Sequence, residues 1–361
     1  MEITAKMVKE LREMTGAGVM ACKNALVETD GDFDAAIEIL RKKGEATAVK
    51  KASRIAAEGT VLAVVKEDKT AAIVEVNSET DFVAKNDKFR TFVAAVADHI
   101  LDLNVNTVEA LLEEKWDDTK TVKEELVSQI ATIGENMSIR RFVKLNSDGV
   151  VVPYIHAGGR IGVLVEAAAE ANDNVKEALK NIAMQIAALN PKYTSRNDIS
   201  ADELAKLREI TVDSALNDTF TLPKPILQKL IDKAVADKVW SDEDIAIYEE
   251  KKSNMNYLPN FLSNEAKASL AELALADKAE IAENKIFAGL VEGRVSKQLK
   301  EICLLDQTYV KAEDGKQSVS QYIAQVGGIE IKGFVRYETG EGIEKKNEDF
   351  AAEVAKQMAG N

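Results

Sequence analysis

The run Thr80-Asp81-Phe82-Val83, called the 80–83 turn below, holds the residue types best suited to recognition of a partner. A β-type run, residues 73–76, precedes it, and a helical pattern follows from Phe89 to Ile100. A carboxylate and an aromatic ring are therefore expected at a strand-to-helix turn, where folds usually present binding groups. A structural interpretation is also open, in which Phe82 extends the buried face that begins at Phe89 and Asp81 caps the helix.

The rest of the sequence offers few groups for catalysis. The histidines, His99 and His156, and the cysteines, Cys22 and Cys303, are scattered, and no Cys/His cluster has the spacing of a zinc site. The sequence contains no GxxxxGK[ST] loop, no GxGxxG after a strand and no GxSxG elbow. It therefore favours a binding protein over an enzyme, and it implies neither a metal nor a cofactor.

The composition sets the class of protein and its compartment. The chain has 361 residues, 46% of them hydrophobic, which is enough for two or three domains. The net charge of −14 argues against general binding to nucleic acid or to anionic membranes. No apolar run approaches the roughly 18 residues of a membrane span. With two distant cysteines and no signal-like N-terminus, we expect a reducing, cytoplasmic compartment, either bacterial or in a processed organellar protein.

Residues 1–54 are expected to form a module of three short helices. Thr4 is a suitable N-cap for the first, and residues 15–18, with two glycines, separate it from the second. In its helix lengths and its glycine-containing first turn, the module resembles ubiquitin-associated domains. That shape commonly presents its first loop to a partner, and here the presented residues would be Arg12, Val19 and Met20. The alternative makes Met20 a core residue.

Residues 41–54 are the most basic run in the chain, with six bases and one acid. Taken alone, this run suggests binding to RNA or to an acidic protein surface. Because alanine and valine are interleaved with the bases, the pattern favours a solvated helical linker.

The middle of the chain contains an internal duplication. Each copy has two strands joined by a turn, then a helix, an insert and a late strand. In copy one, residues 55–147, these elements are 60–65, 71–76, 86–103 and 139–143. In copy two, residues 148–194 and 303–339, they are 150–155, 161–166, 173–189 and 331–336. We therefore predict an α+β fold with a duplicated β-β-α-β core, antiparallel sheets and helices on one face.

The long insert of copy two, residues 195–302, is expected to form a helical hairpin or coiled coil with a helical elaboration at its tip. Prolines at 223, 225 and 259 exclude a single helix. An apolar stripe at spacings of four and three is typical of a two-helix contact, and it consists of Leu275, Ala279, Ala282, Ile286 and Leu290. The stripe could close the hairpin or bind another subunit. Residues 340–361 are predicted to form a C-terminal helix after a glycine turn.

Several ordered strings resemble one family, translation elongation factor Ts. They are LREMTGAGVMACKNAL (11–26), EVNSETDFVAKNDKF (75–89), IGENMSIRRF (133–142), HAGGRIGVLV (156–165) and GFVRYETGEGIEK (333–345). The resemblance covers almost the whole chain. It implies an exchange factor that binds the GTPase elongation factor Tu, displaces its magnesium ion and promotes release of GDP. It also implies the same architecture: an N-terminal helical module, a duplicated core, a helical insertion and a C-terminal helix. The complex could take the form of a heterotetramer that contains a homodimer of this chain.

The resemblance further implies roles for individual residues. In the 80–83 turn, Thr80, Asp81, Phe82 and Val83 would displace the magnesium ion, with the Phe82 ring entering a gap between helices of the nucleotide domain. Arg12 and Met20 would contact the partner from the first loop, with Val19 standing where many members have methionine. His156 would face the partner from the core. Residues 181–185 lack a histidine that other members have there, and the insertion near 215–280 is longer than in many members.

The sequence is compatible with three hypotheses about function. The first is a nucleotide exchange factor that binds its partner through the 80–83 turn. The second is an RNA-binding scaffold that uses residues 41–54. The third, an enzyme of unknown class, is disfavoured by the missing motifs.

Overall fold

The computed structural model describes residues 3–344 of the chain. Its α-helices are α1 (Ala5–Thr15), α2 (Val19–Glu28), α3 (Phe33–Lys51), α4 (Asp81–Ala84), α5 (Asp87–Asp102), α6 (Val108–Glu113), α7 (Val122–Ile133), α8 (Asp173–Leu189), α9 (Ala201–Asn217), α10 (Lys224–Ala236), α11 (Asp242–Lys251), α12 (Asn264–Ala276), α13 (Lys278–Ala282), α14 (Lys285–Ile302) and α15 (Val319–Val326). Its strands are β1 (Glu58–Lys66), β2 (Thr70–Ser78), β3 (Met137–Asn146), β4 (Val150–His156), β5 (Ile161–Ala168) and β6 (Glu330–Glu338). The chain divides into two compact units, Met1–Asn190 with Gln321–Asn361, and Pro191–Ser320.

The three helices expected at the N-terminus are present as α1, α2 and α3. The Thr4 side chain caps α1 by accepting a hydrogen bond from the Met7 amide. Leu11, Cys22 and Leu26 form the buried centre of the module, a small core. The interpretation of Met20 as a core residue is wrong, because its side chain is 64% exposed on the outer face of α2.

The basic run is not a separate linker. Helix α3 continues unbroken to Lys51, so most of residues 41–54 extend the third helix. This extension packs on α7 of copy one. Arg41 pairs with Glu124 at 2.8 Å, and a Cβ on Gly44 would lie 3.5 Å from Val127 Cγ1. The prediction of a solvated helical linker is therefore right about the helix and its mostly exposed surface, but one face of the helix packs on α7, so it is not a linker.

The duplicated core folds into two three-stranded antiparallel sheets, with strand orders β1-β2-β3 and β4-β5-β6. Helix α5 covers one face of the first sheet through residues such as Phe89 and Val96, because its apolar side chains recur on one side. The opposite faces of the two sheets pack on each other, with Val61 and Ile73 of copy one against Leu164 of copy two. The central strand β2 is consequently buried along almost its whole length.

The two copies share a β-bulge at the same place. In the first sheet the register shifts between Glu75 and Val76, leaving Arg140 of β3 as the extra residue. In the second it shifts between Glu166 and Ala167, leaving Lys332 as the extra residue. The bulges therefore give a residue-by-residue alignment of the copies.

A buried carboxylate ties the end of β6 to the first sheet. Glu75 accepts hydrogen bonds from Arg140 at 3.0 Å, from Arg141 at 2.6 Å and from the Gly340 amide at 2.8 Å. Burial alone would raise the pKa of Glu75, but the Gly340 amide, Asn77 and Arg141 outweigh it and hold the pKa below its usual value. The carboxylate is therefore ionised at neutral pH.

The insertion forms a helical unit with its own core. Helices α9 and α14 lie against each other, and Arg208 of α9 pairs with Glu292 of α14 at 2.9 Å. The predicted apolar stripe is wrong, because its residues fall on three helices, α12, α13 and α14, with breaks between them, and Ile286 is 57% exposed. The buried positions of α14 are Phe287, Val291, Val295 and Leu299.

Two further predictions from the sequence concern the C-terminal helix and membrane spans. Most of the predicted C-terminal helix, residues 345–361, lies outside the described residues. Between residues 3 and 344, no helix has the length and apolar character needed to cross a bilayer.

Candidate partner-binding site at the 80–83 turn

A helix of four residues, α4, forms most of the 80–83 turn. Its N-cap is Thr80, whose backbone is extended and whose Oγ1 accepts a hydrogen bond from the Val83 amide at 3.3 Å. Asp81 is the first helical residue and does not cap, which corrects the structural interpretation of this residue. The next helix, α5, has its own cap in Asn86, whose side chain accepts from the Lys88 amide.

Phe82 projects from this turn into solvent, with 82% of its surface exposed. The neighbouring Val83 turns inward and packs against the cluster that contains Phe89. Because the helix breaks between Ala84 and Asp87, Phe82 does not continue the buried face of α5. The prediction that Phe82 extends this face is therefore wrong. An exposed aromatic ring on a structured turn fits recognition better than packing.

Asp81 keeps its charge beside this ring. The Lys85 ammonium lies 2.6 Å from the Asp81 carboxylate, one helical turn further on. The hydrogen bond from Lys85 lowers the pKa of Asp81. The turn thus presents an anionic group and an apolar group next to each other.

Two acidic side chains strap the turn to the segment that leads into β3. Glu135 accepts hydrogen bonds from the Thr80 amide at 3.0 Å and from Thr80 Oγ1 at 2.6 Å. In the opposite direction, Glu79 accepts from the Asn136 amide and pairs with Arg54 at 3.5 Å. The pair Glu79 and Thr80 is therefore joined to the pair Glu135 and Asn136 by hydrogen bonds in both directions.

An open recess of about 440 Å³ lies beside the ring and is lined by Glu58, Glu79, Thr80, Asp81, Phe82 and Arg160. Arg160 comes from copy two and its backbone is fixed there, because its carbonyl accepts from the Thr339 amide at 2.9 Å. The preceding Gly159 approaches β1 so closely that a Cβ would lie 1.9 Å from Thr60 Oγ1. Glycine is thus required where copy two meets copy one.

Copy two lacks the feature that copy one presents. Eight residues, 79–86, connect β2 to α5, whereas four residues, 169–172, connect β5 to α8. The difference equals the length of α4. The repeated fold therefore closes without this short helix, which makes α4 an addition that folding does not require.

The remaining predicted site residues are exposed but lie elsewhere. Arg12, Val19 and Met20 are exposed on α1 and α2. His156 is exposed at the end of β4, where its Nδ1 lies 3.0 Å from the Tyr154 hydroxyl. None of these four residues lines the recess at Phe82.

Sequence reasoning missed Glu135, Asn136 and Arg160 as parts of the site. Glu135 and Asn136 lie 55 and 57 residues from the groups they bind, so no local periodicity connects them. The available signals were indirect. All three residues fall within the strings 133–142 and 156–165, which carry the family resemblance.

Comparisons with known proteins agree on one family. The sequence matches the family described as Elongation factor TS over residues 79–251 and 234–341. Elongation factor Ts of Clostridium perfringens (strain SM101 / Type A) is 45% identical over 362 residues, covering 98% of each chain. Elongation factor Ts of Halothermothrix orenii is 41% identical over 361 residues, covering 99% of each chain. That of Clostridioides difficile (strain 630) is also 41% identical over 361 residues, with 99% of each chain covered. The chain therefore belongs to the elongation factor Ts family.

Proposed function

We propose that this chain is a guanine nucleotide exchange factor for elongation factor Tu in translation elongation. It binds the GDP form, displaces the magnesium ion, promotes release of GDP and stays bound until GTP enters. The observation that carries the proposal is the 82% exposure of Phe82 on a turn that copy two does not have. No bond is made or broken, so the activity requires neither a catalytic residue nor a cofactor.

Linkage explains how binding alone can release a nucleotide. A factor that binds the nucleotide-free GTPase more tightly than the GDP form weakens GDP binding by the same ratio. A nanomolar nucleotide is held by about 12 kcal/mol. One side chain cannot offset that, so a total interface of roughly 2,000 Å² or more is needed. Arg12, Val19, Met20 and His156 supply exposed contacts for such an interface.

Within the 80–83 turn the roles divide by exposure. Phe82 is the group free to enter an apolar gap in the partner. Asp81, an exposed carboxylate that Lys85 pairs with in the unbound chain, is the anion that would disturb coordination of the magnesium ion. Loss of that ion would leave the phosphate charges of GDP unbalanced and weaken its binding further. Thr80 and Val83 support the turn from within, through the cap and the apolar cluster.

The runner-up, an RNA-binding scaffold, is disfavoured by the contacts of the basic run. Five of its six bases already have protein partners: Arg41, Lys42, Lys43, Lys51 and Arg54. We therefore propose that no nucleic acid binds directly. A cytoplasmic location, a ubiquitin-associated-like N-terminal module, a coiled-coil character of the insertion and a homodimer within a heterotetramer remain predictions.

The proposal is tested by following fluorescent GDP as it leaves elongation factor Tu. We expect the wild-type chain to accelerate release in proportion to its concentration until saturation. If displacement of magnesium contributes, chelation of the ion should raise the spontaneous rate of GDP release. The ratio of the stimulated rate to the spontaneous rate should then fall. An unchanged release rate at saturating factor would refute the proposal, and RNA binding in a gel shift at 50 mM salt would revive the runner-up.

A further inference from the structure

We infer that Glu135 is a positioning residue for the exchange reaction, acting through Thr80 to hold Phe82 in its projecting position. This inference rests on the proposed function. In this role Glu135 does not contact the partner through its own side chain but fixes the position of Phe82, which does.

The hydrogen bonds run in series from Glu135 to the helix that carries the ring. The Glu135 carboxylate accepts both hydrogen bonds that Thr80 can donate, one from the Thr80 amide at 3.0 Å and one from Thr80 Oγ1 at 2.6 Å. Because the hydroxyl proton points to Glu135, the lone pairs of Oγ1 are left for the Val83 amide at 3.3 Å. Glu135 therefore orients the cap that begins α4.

Helix α4 needs such external support. It has four residues, and forming a first helical turn is unfavourable in isolation. Phe82 contributes little of that support, because its ring is largely exposed. Besides the hydrogen bonds that Ser78 and Arg90 donate to the backbone of the turn, the inward packing of Val83 and the cap that Glu135 orients hold it in place.

The second copy provides an internal comparison. The bulges align Ile139 with Ile331, and counting back four residues places Glu135 opposite Gly327. Matching the positive-φ glycines that end α7 and α15, Gly134 and Gly327, places Glu135 opposite Gly328 instead, so a glycine stands there in either alignment. Copy two has neither the short helix nor a side chain at the position of Glu135. The carboxylate thus occurs in the copy with the presented turn and is absent from the copy without it, which links Glu135 to presentation and not to the repeated fold.

The test compares Glu135→Ala and Glu135→Gln with wild type in stimulated release of fluorescent GDP, alone and combined with Phe82→Ala. We expect Glu135→Ala to lower the maximal stimulated rate about tenfold, equivalent to about 1.4 kcal/mol. The half-saturating concentration should change less than about threefold, because the other contact surfaces are intact. Glutamine can still accept from the Thr80 amide and donate to its hydroxyl, so it should recover most of the rate.

Combination with Phe82→Ala distinguishes positioning from a separate contact. If Glu135 acts through the ring, its removal should cost less than about twofold once the ring is gone. Glu109→Ala, on the exposed surface of α6, is the matched control and should leave rate and half-saturation unchanged. Additive losses in the double variant, or a wild-type rate in Glu135→Ala, would overturn the inference.

Hydrogen exchange of the free chain decides the structural part without the GTPase. The amides of residues 80–85 should exchange faster in Glu135→Ala than in wild type, while the amides of α5 stay protected. If the wild-type chain itself fails to stimulate GDP release, the proposed function is wrong. Hydrogen exchange of residues 80–85 then still shows whether Glu135 holds the turn. Unchanged exchange at residues 80–85 overturns the inference whatever the rates are.

Discussion

Replacing Phe82 with alanine should weaken exchange strongly and leave folding nearly unchanged. A phenylalanine side chain buries roughly 150–250 Å², and with 82% of Phe82 exposed, about 160 Å² is available to a partner. At about 25 cal/mol per Å², full burial in the complex is worth at most about 4 kcal/mol. Truncation of an anchor residue in an interface to alanine commonly lowers the binding free energy by about 2 kcal/mol or more. We therefore expect a loss of about 2–4 kcal/mol, roughly thirtyfold to several hundredfold in the second-order rate constant of stimulated GDP release.

The assay is stopped-flow release of fluorescent GDP from elongation factor Tu at increasing concentrations of the variant. Urea unfolding of the free chain provides the second measurement, and Phe82→Ala should stay within about 0.5 kcal/mol of wild type. Phe89→Ala is the matched control, because Phe89 is fully buried against the first sheet and its truncation should cost about 3–5 kcal/mol.

Two results would refute this reasoning. A Phe82→Ala variant that stimulates release within about threefold of wild type would exclude the ring as an anchor. A loss of folding stability as large as that of Phe89→Ala would show that the ring packs inside the chain in solution. If the partner recognises apolar area, the rate constant of stimulated GDP release for Phe82→Leu should fall between those of Phe82→Ala and wild type.

Three further predictions follow from other parts of the chain. Gly159→Ala should cost about 3 kcal/mol or more in urea unfolding, because its φ is +103° and the new Cβ would meet Thr60, whereas Gly158→Ala, with a left-handed φ of +68° and open space, should cost only about 1 kcal/mol. Glu75→Gln should cost about 2–3 kcal/mol near pH 7. Because the folded pKa of Glu75 is lowered, its stabilisation is present above the unfolded pKa of about 4.3 and is lost as pH falls through the folded pKa, so the unfolding free energies of wild type and variant, measured in urea, should converge as the pH falls below the folded pKa. Residues 191–320 expressed alone should melt cooperatively by circular dichroism, because they hold their own buried cluster, and a broad non-cooperative melt would contradict this.

The repeated strands and their helices could be predicted from sequence to within three residues. This succeeded because their burial follows local periodicity, as in α5, where Phe89, Val93 and Val96 share one face. The insertion failed for the complementary reason. An apolar stripe assumes one continuous helix, and the break at Asp277 changes which side of the following helix is buried.

The candidate site could be located from sequence but not described. The direction of Phe82 depends on a helix of four residues, too short for any periodicity to reveal. The cap falls on Thr80 and not on Asp81, a difference of one residue that pattern reasoning does not resolve. The partner of that cap, Glu135, is brought close only when the first sheet forms, so its role depends on tertiary structure.

The split of copy two by its insertion sets an order of events during synthesis. The second sheet needs β6, whose first residue follows the end of β5 by roughly 160 residues, whereas the first sheet is complete once β3 has emerged. At about 5–20 residues per second, β5 waits roughly 10–30 s for its second neighbour, with one backbone edge unpaired. The buried cluster of the insertion lets that segment fold during the wait. Slower elongation between residues 169 and 329 should therefore prolong the interval in which the edge of β5 stays unpaired.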